Sequence, residues 1–126
     1  MRPKLLVLLV GLLVVSGSLF AHHGGAAYES TVLTMKGTIT EFRFINPHSQ
    51  IFFDVTNAKG EVEHWQGEVT APNKLARAGW TKNTLKPGDV FTISGRVGKN
   101  NAHSLAINKL ITPTGESLKM SESIDY

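Results

Sequence analysis

His22 and His23 follow directly on an apolar leader, and a cut after Ala21 would make His22 the first residue of the mature chain. A chain that begins with histidine offers one metal ion both its α-amine and its own imidazole. A second imidazole from elsewhere completes a three-nitrogen, T-shaped donor set. Nitrogen donors in a tetragonal plane favour copper(II) over the other first-row divalent ions, and the amine, with a reference pKa near 8, loses its proton readily to a bound cation. His23 could instead bind through its imidazole together with the preceding amide and amine. His48 is the best third ligand, because Asn46-Pro47 before it fixes a turn that could aim the ring at the arm. The predicted metal ligands are therefore His22, His23 and His48, and copper is the cofactor they suit.

A second chemistry rests on aromatic residues. Phe42, Phe44 and Trp65, with His64 beside the indole, could form a face for a hydrophobic ligand, a saccharide or a periplasmic protein partner. On that reading the domain is a protein-interaction or structural module. A third reading, a copper-dependent redox protein, would use the histidine ligands with one coordination position left open. His64 and Glu63 fall on opposite faces of a strand, so spacing secures no acid–base pair there. His103, beside Asn100-Asn101, reads as a turn residue, and Trp80 reads as a core plug. The chain has no nucleophile elbow, phosphate loop or Asp-rich calcium loop, so no hydrolytic chemistry is predicted.

The address of the protein is written in its first residues. Arg2 and Lys4 make a basic start, Leu5 to Val15 an apolar run, and Ser16 to Ala21 a breaker ending on a small residue, the pattern of a cleavable signal peptide over 1–21. The run is too short for a stable membrane span, and the expected location is the periplasm. There are no cysteines, so disulfides, thiolate ligands and a lipidated anchor are all excluded. Of 13 basic side chains against 10 acidic ones, two basic ones lie in the leader, which brings the mature domain close to neutrality. A neutral exported domain lacks the field that attracts phosphate backbones, and no nucleic-acid partner is expected.

The elements that must position these residues are short and mostly extended. Residues 22–30, with two adjacent glycines, read as a flexible arm. From Thr31 to Ile45 the chain is β-branched and aromatic, with its apolar parity switching between Ile39 and Phe42, which predicts a bulge or sharp coil there. Ile51, Phe53 and Val55 mark a second strand, and Asn57-Ala58-Lys59-Gly60 a turn into a third that carries Trp65 and Val69. Pro72 opens a short helix with Leu75 and Ala78 inward and Gly79 at its end. Lys86-Pro87-Gly88-Asp89 has the order of a type II turn. It leads into a fourth strand with Phe91, Ile93 and Val97 on one face, and a fifth follows carrying Leu105, Ile107 and Ile111. The polar stretch 113–126 is expected to fray.

The order β-β-β-α-β-β over 31–112, with a long bent first strand, is that of a small five-stranded OB-like barrel. The glycines at 37, 67 and 95 fall where a closing sheet must coil most.

Taken together, His22-His23, Asn46-Pro47-His48, Trp65, Pro72-Asn73, Arg77-Ala78-Gly79-Trp80 and Leu85-Lys86-Pro87-Gly88-Asp89 resemble a family of small exported bacterial proteins with a domain of unknown function. Members tend to have Ser before the helix proline; here it is Ala71, which removes a capping hydroxyl. The resemblance implies an exported β-rich domain and carries no reaction with it.

Overall fold

The computed structural model describes residues 27–100 and 102–120. The expected leader, the histidines at 22 and 23 and the last residues of the tail lie outside them. Five strands and one short helix follow in chain order: β1 (Tyr28–Arg43), β2 (Gln50–Thr56), β3 (Val62–Glu68), α1 (Pro72–Arg77), β4 (Val90–Gly98) and β5 (Ser104–Ile111). The protein is mainly β. Hydrogen bonds close the sheet into a ring in the order β1-β2-β3-β5-β4, with β4 pairing back onto β1. All pairs are antiparallel except β3 with β5. No helix among the described residues is long and apolar enough to cross a membrane.

Alternation builds the interior. Ile51 and Phe53 of β2, Trp65 of β3, Phe91 and Ile93 of β4 and Leu105 and Ile107 of β5 all turn inward and lie in one buried cluster. β1 serves two neighbours. Residues up to Thr38 pair with β4, and Thr38 to Arg43 pair with β2. The register slips between Ile39 and Glu41, leaving Thr40 as an extra residue, where the apolar parity changes. Inward Ile39 and inward Phe42 are thereby reconciled on one strand.

Three sequence expectations need correction. The expected arm ends sooner, because Tyr28, Glu29 and Ser30 already belong to β1. In β5 a second slip leaves Asn108 extra, so the inward set is Leu105, Ile107 and Leu110 while Ile111 is only half-buried. A period-2 reading cannot find a bulge whose cause lies in the partner strand. The tail does not fray at its start. Thr112 N–H bonds to Glu116 O, Leu118 N–H bonds to Leu110 O at 2.9 Å, and the indole N–H of Trp80 donates to Lys119 O at 2.6 Å. Leu118 and Met120 pack on the core through this return.

The turns follow their local chemistry. Gly88 takes φ +93° in the turn before β4, and the Asp89 carboxylate accepts the Lys86 N–H at 2.9 Å. Helix α1 ends in a Schellman motif: Trp80 N–H bonds to Leu75 O and Gly79 N–H to Ala76 O, with Gly79 at φ +94°. No side chain caps its start at Ala71. The motif delivers Trp80, 5% exposed, into the core beside Leu75.

Candidate functional site

Each of the three described histidines lies against a carboxylate of β2 or β3. His48, in the loop between β1 and β2, has Nδ1 3.7 Å from Glu68 Oε2; His64 has Nδ1 2.6 Å from Asp54 Oδ1; His103 has Nε2 3.4 Å from Glu63 Oε2. The register explains the second pair, since Asp54 and His64 sit directly opposite each other on β2 and β3. His64 points away from the interior, with its side chain 84% exposed. Its neighbour Trp65 points inward.

His103 is more than a turn residue. Its ring stacks on the Trp65 indole with centroids 4.7 Å apart and planes 12° apart, and Phe53 lies against Trp65 at 6.3 Å. The indole is sandwiched, 9% exposed, and its N–H finds no partner among the described residues. Of the residues expected to share a face, Trp65 belongs to the buried core and Phe42 and Phe44 pack against that core, Phe42 lying 6.0 Å from Phe44 and 5.7 Å from Trp80, while His64 points outward. Strand alternation places His64 and Trp65 on opposite sides of β3. The outward aromatic of this region is Phe52, and the Arg43 guanidinium covers it at 4.6 Å. Arg43 is bound in turn to Glu41 at 2.7 Å, a hydrogen bond that holds the Glu41 carboxyl below its ordinary value.

Glu68 is the centre of the remaining cluster. Besides His48 it faces the Tyr28 phenol, whose pKa is raised above 10.0 first by burial and then by the Glu68 charge, with Arg96 opposing. Tyr28 is the first residue of β1, and Ala27 before it is tied down by the Lys99 N–H at 3.0 Å. The chain therefore enters the fold beside His48 and Glu68. A raised tyrosine pKa means that the folded state resists ionisation more than the unfolded chain does. The corresponding stability is complete below pH 10.0 and is lost as pH rises through the higher folded value. Tyr28→Phe should flatten the fall in urea midpoint on the alkaline side of pH 10.0, and a slope equal to that of the wild type would remove this account.

Sequence reasoning singled out His48, His64 and Trp65 but missed the carboxylates that meet the histidines. Asp54 and Glu68 reach them through cross-strand register and loop position, which no local spacing encodes. His48 and Glu68 are the two donors brought together near the start of the described chain. Among the described residues no group of three or more His, Asp or Glu side chains converges as a metal site.

Comparison with protein families matches residues 10–106 to a family of unknown function, DUF6152. The chain belongs to that family. The span matched to DUF6152 takes in His48, Glu68, His103 and all of β1 to β4, and it ends within β5, before the returning tail. A search of curated proteins finds no match.

Proposed function

We propose that the protein is a periplasmic, non-enzymatic binding module that takes up copper(II) through its mature N-terminal histidine, with His48 as the ligand supplied by the folded domain. The fold in this reading is an OB-type barrel. Its support is the strand order β1-β2-β3-β5-β4, the parallel β3–β5 pair and the helix between β3 and β4. In such a barrel the loops between strands 1 and 2 and between strands 4 and 5 flank the binding face. His48 lies in the first of these loops and His103 closes the second.

One observation carries the copper reading: Tyr28 starts β1 opposite Gly98, at the end of the sheet where Ala106 lies between Arg96 and Glu68, and Glu68 is 3.7 Å from His48. The six residues from His22 to Ala27 can span up to roughly 20 Å when extended, ample for an arm that leaves the fold at that place. Imidazole and amine nitrogens suit copper(II). Without cysteine, the chain offers no thiolate to compete with them.

The test is isothermal titration of copper(II) into protein that begins at His22. Three variants are compared: one with a single residue added before His22, His22→Ala and His48→Ala. Each should weaken binding by at least the ~10–100-fold that loss of a mere outer-shell partner costs at metal sites. Unchanged affinity after the added residue would remove the amine from the site, and with it this reading.

A further inference from the structure

We propose that a cleft on the outer face of β1, β4 and β5 binds a free single-chain carboxylate, with its head on the Lys36 amine and its chain over Val90, Ile111 and Pro113. The inference uses none of the groups of the copper reading and stands or falls apart from it.

Strand register builds the floor of this cleft. Gly37 turns into the core, where a Cβ would meet Phe53 and Ile93, so alternation turns Lys36 outward. Lys36 lies opposite Thr92 of β4, and Thr92 lies opposite Ile111 of β5, which sets the three in one row across the sheet. Two inter-strand spacings make that row roughly 10 Å long. Beyond Ile111 the returning tail supplies a wall. Thr112 N–H on Glu116 O and Gly115 N–H on Thr112 O fold the segment into a turn, and Ser117 bridges back to Ile111. The cleft so formed holds about 620 Å³ and is mostly apolar, with Lys36 and Thr92 as its polar side. A second space of about 410 Å³, bounded by Thr38, Asp54 and Thr56, adjoins it at Lys36 and Val90. Volumes of this order, largely apolar with a few convergent polar groups, are those of small-molecule sites.

Charge fixes the class of ligand. Among the described residues no carboxylate lies within ion-pair distance of Lys36. Asp54, diagonal to Lys36 across β1 and β2, is bound instead to His64 at 2.6 Å. The junction of the two spaces therefore carries one ammonium without a counterion, set between an apolar floor and threonine hydroxyls. Ammonium and hydroxyl groups both donate to a carboxylate, and burying an alkyl chain on Val90, Ile111 and Pro113 removes apolar surface from water. Asp54 repels an anionic head and keeps it on the Thr92 side of Lys36. A cleft of this volume takes one chain, which favours a free carboxylate over a two-chain lipid.

Calorimetric titration of decanoate, octanoate and octanol into the purified protein, with backbone amide shifts followed by nuclear magnetic resonance, tests the site. Decanoate should bind several-fold tighter than octanoate, since each fully buried methylene is worth up to about fourfold. Shifts should concentrate at Lys36, Thr92 and residues 111–115. Lys36→Met removes the charge and keeps an apolar stem; it should weaken decanoate by up to about fivefold and leave octanol unchanged. Asp54→Asn should tighten decanoate about twofold by removing the repulsion. Lys74→Met, on α1, should change neither ligand, and circular dichroism confirms that each variant is folded. Decanoate affinity unchanged in Lys36→Met would overturn the assignment of the head. Equal losses in Lys36→Met and Lys74→Met would reduce the effect to general charge and overturn it too. Shifts centred outside the cleft, or no binding of decanoate to the wild-type protein, would overturn the site itself.

Discussion

Trp80→Ala should lower the free energy of unfolding by about 3–5 kcal/mol, the usual cost of deleting a buried indole. In a domain of this size total stability is commonly about 5–15 kcal/mol, so the loss takes a large share of it and should move the unfolding midpoint well below that of the wild type. Trp80 is placed to have this effect because it joins three parts of the chain that are remote in sequence. The Schellman turn after α1 sets its backbone, Phe42 packs on its ring, and its N–H holds the returning tail at Lys119. Loss of the ring therefore opens a cavity beside Leu75 and releases Leu118 and Met120 as well. Trp80→Phe separates the contributions. It keeps most of the packing but gives up the hydrogen bond, and should cost about 1 kcal/mol for the bond plus a smaller packing term. A chain ended at Pro113 should show the remainder, the part due to the tail. Urea titrations followed by circular dichroism read all three, and a Trp80→Ala midpoint within error of the wild type would contradict this view of the tail as part of the fold.

The tail also shows where sequence reasoning stops. Residues 113–126 have no period and few apolar groups, and from composition they read as solvent-exposed. The segment up to Met120 is nonetheless held by two apolar side chains, Leu118 and Met120, by the Leu118 N–H on the Leu110 carbonyl, and by the Lys119 carbonyl, whose partner Trp80 is 39 residues away. The same division runs through the rest of the protein. The five strands, the helix, the glycine at its end and the parity switch between Ile39 and Phe42 were legible, because each is written in side-chain alternation or in turn chemistry over a few residues. The histidine–carboxylate pairs were not. Asp54 meets His64 because β2 and β3 adopt one register, and register is decided by the packing of both strands rather than by either alone. The candidate site was legible at His48, where the preceding proline marks a fixed turn, while its neighbour Glu68 looks in sequence like one of several acidic strand residues. Trp65 was visible as an aromatic strand residue, but its direction was ambiguous. Val62 stands on one parity while Trp65 and Val69 stand on the other, and only closure of the ring fixes which parity faces inward.

Closure makes the second large effect. Gly95→Val should cost more than about 4 kcal/mol and leave little folded protein, because the added side chain would be built into backbone rather than into side chains that can move. A Cβ at position 95 would meet the carbonyl oxygen of Ala106, with Ala106 C at 2.9 Å and Ile107 Cα at 3.0 Å. At Gly37, by contrast, a Cβ would meet ring and methyl atoms of Phe53 and Ile93, at 2.7 Å and 2.9 Å. Gly37→Ala should therefore be damaging but milder than Gly95→Ala. The reason position 95 is so tight is the slip in β5. Gly95 pairs with Ile107 where the extra residue Asn108 shifts the register, and the close approach of β4 and β5 there lets Ile107 and Leu110 both turn inward. Separating the strands would move Ile107 out of the interior and undo the packing of Leu110 with it. Denaturation midpoints for the three variants check the order. If Gly95→Val unfolds near the wild-type midpoint, the register slip is not anchored by the absence of a side chain at Gly95. The inward turn of Leu110 would then need another cause, in β5 itself or in the tail that returns to its carbonyl.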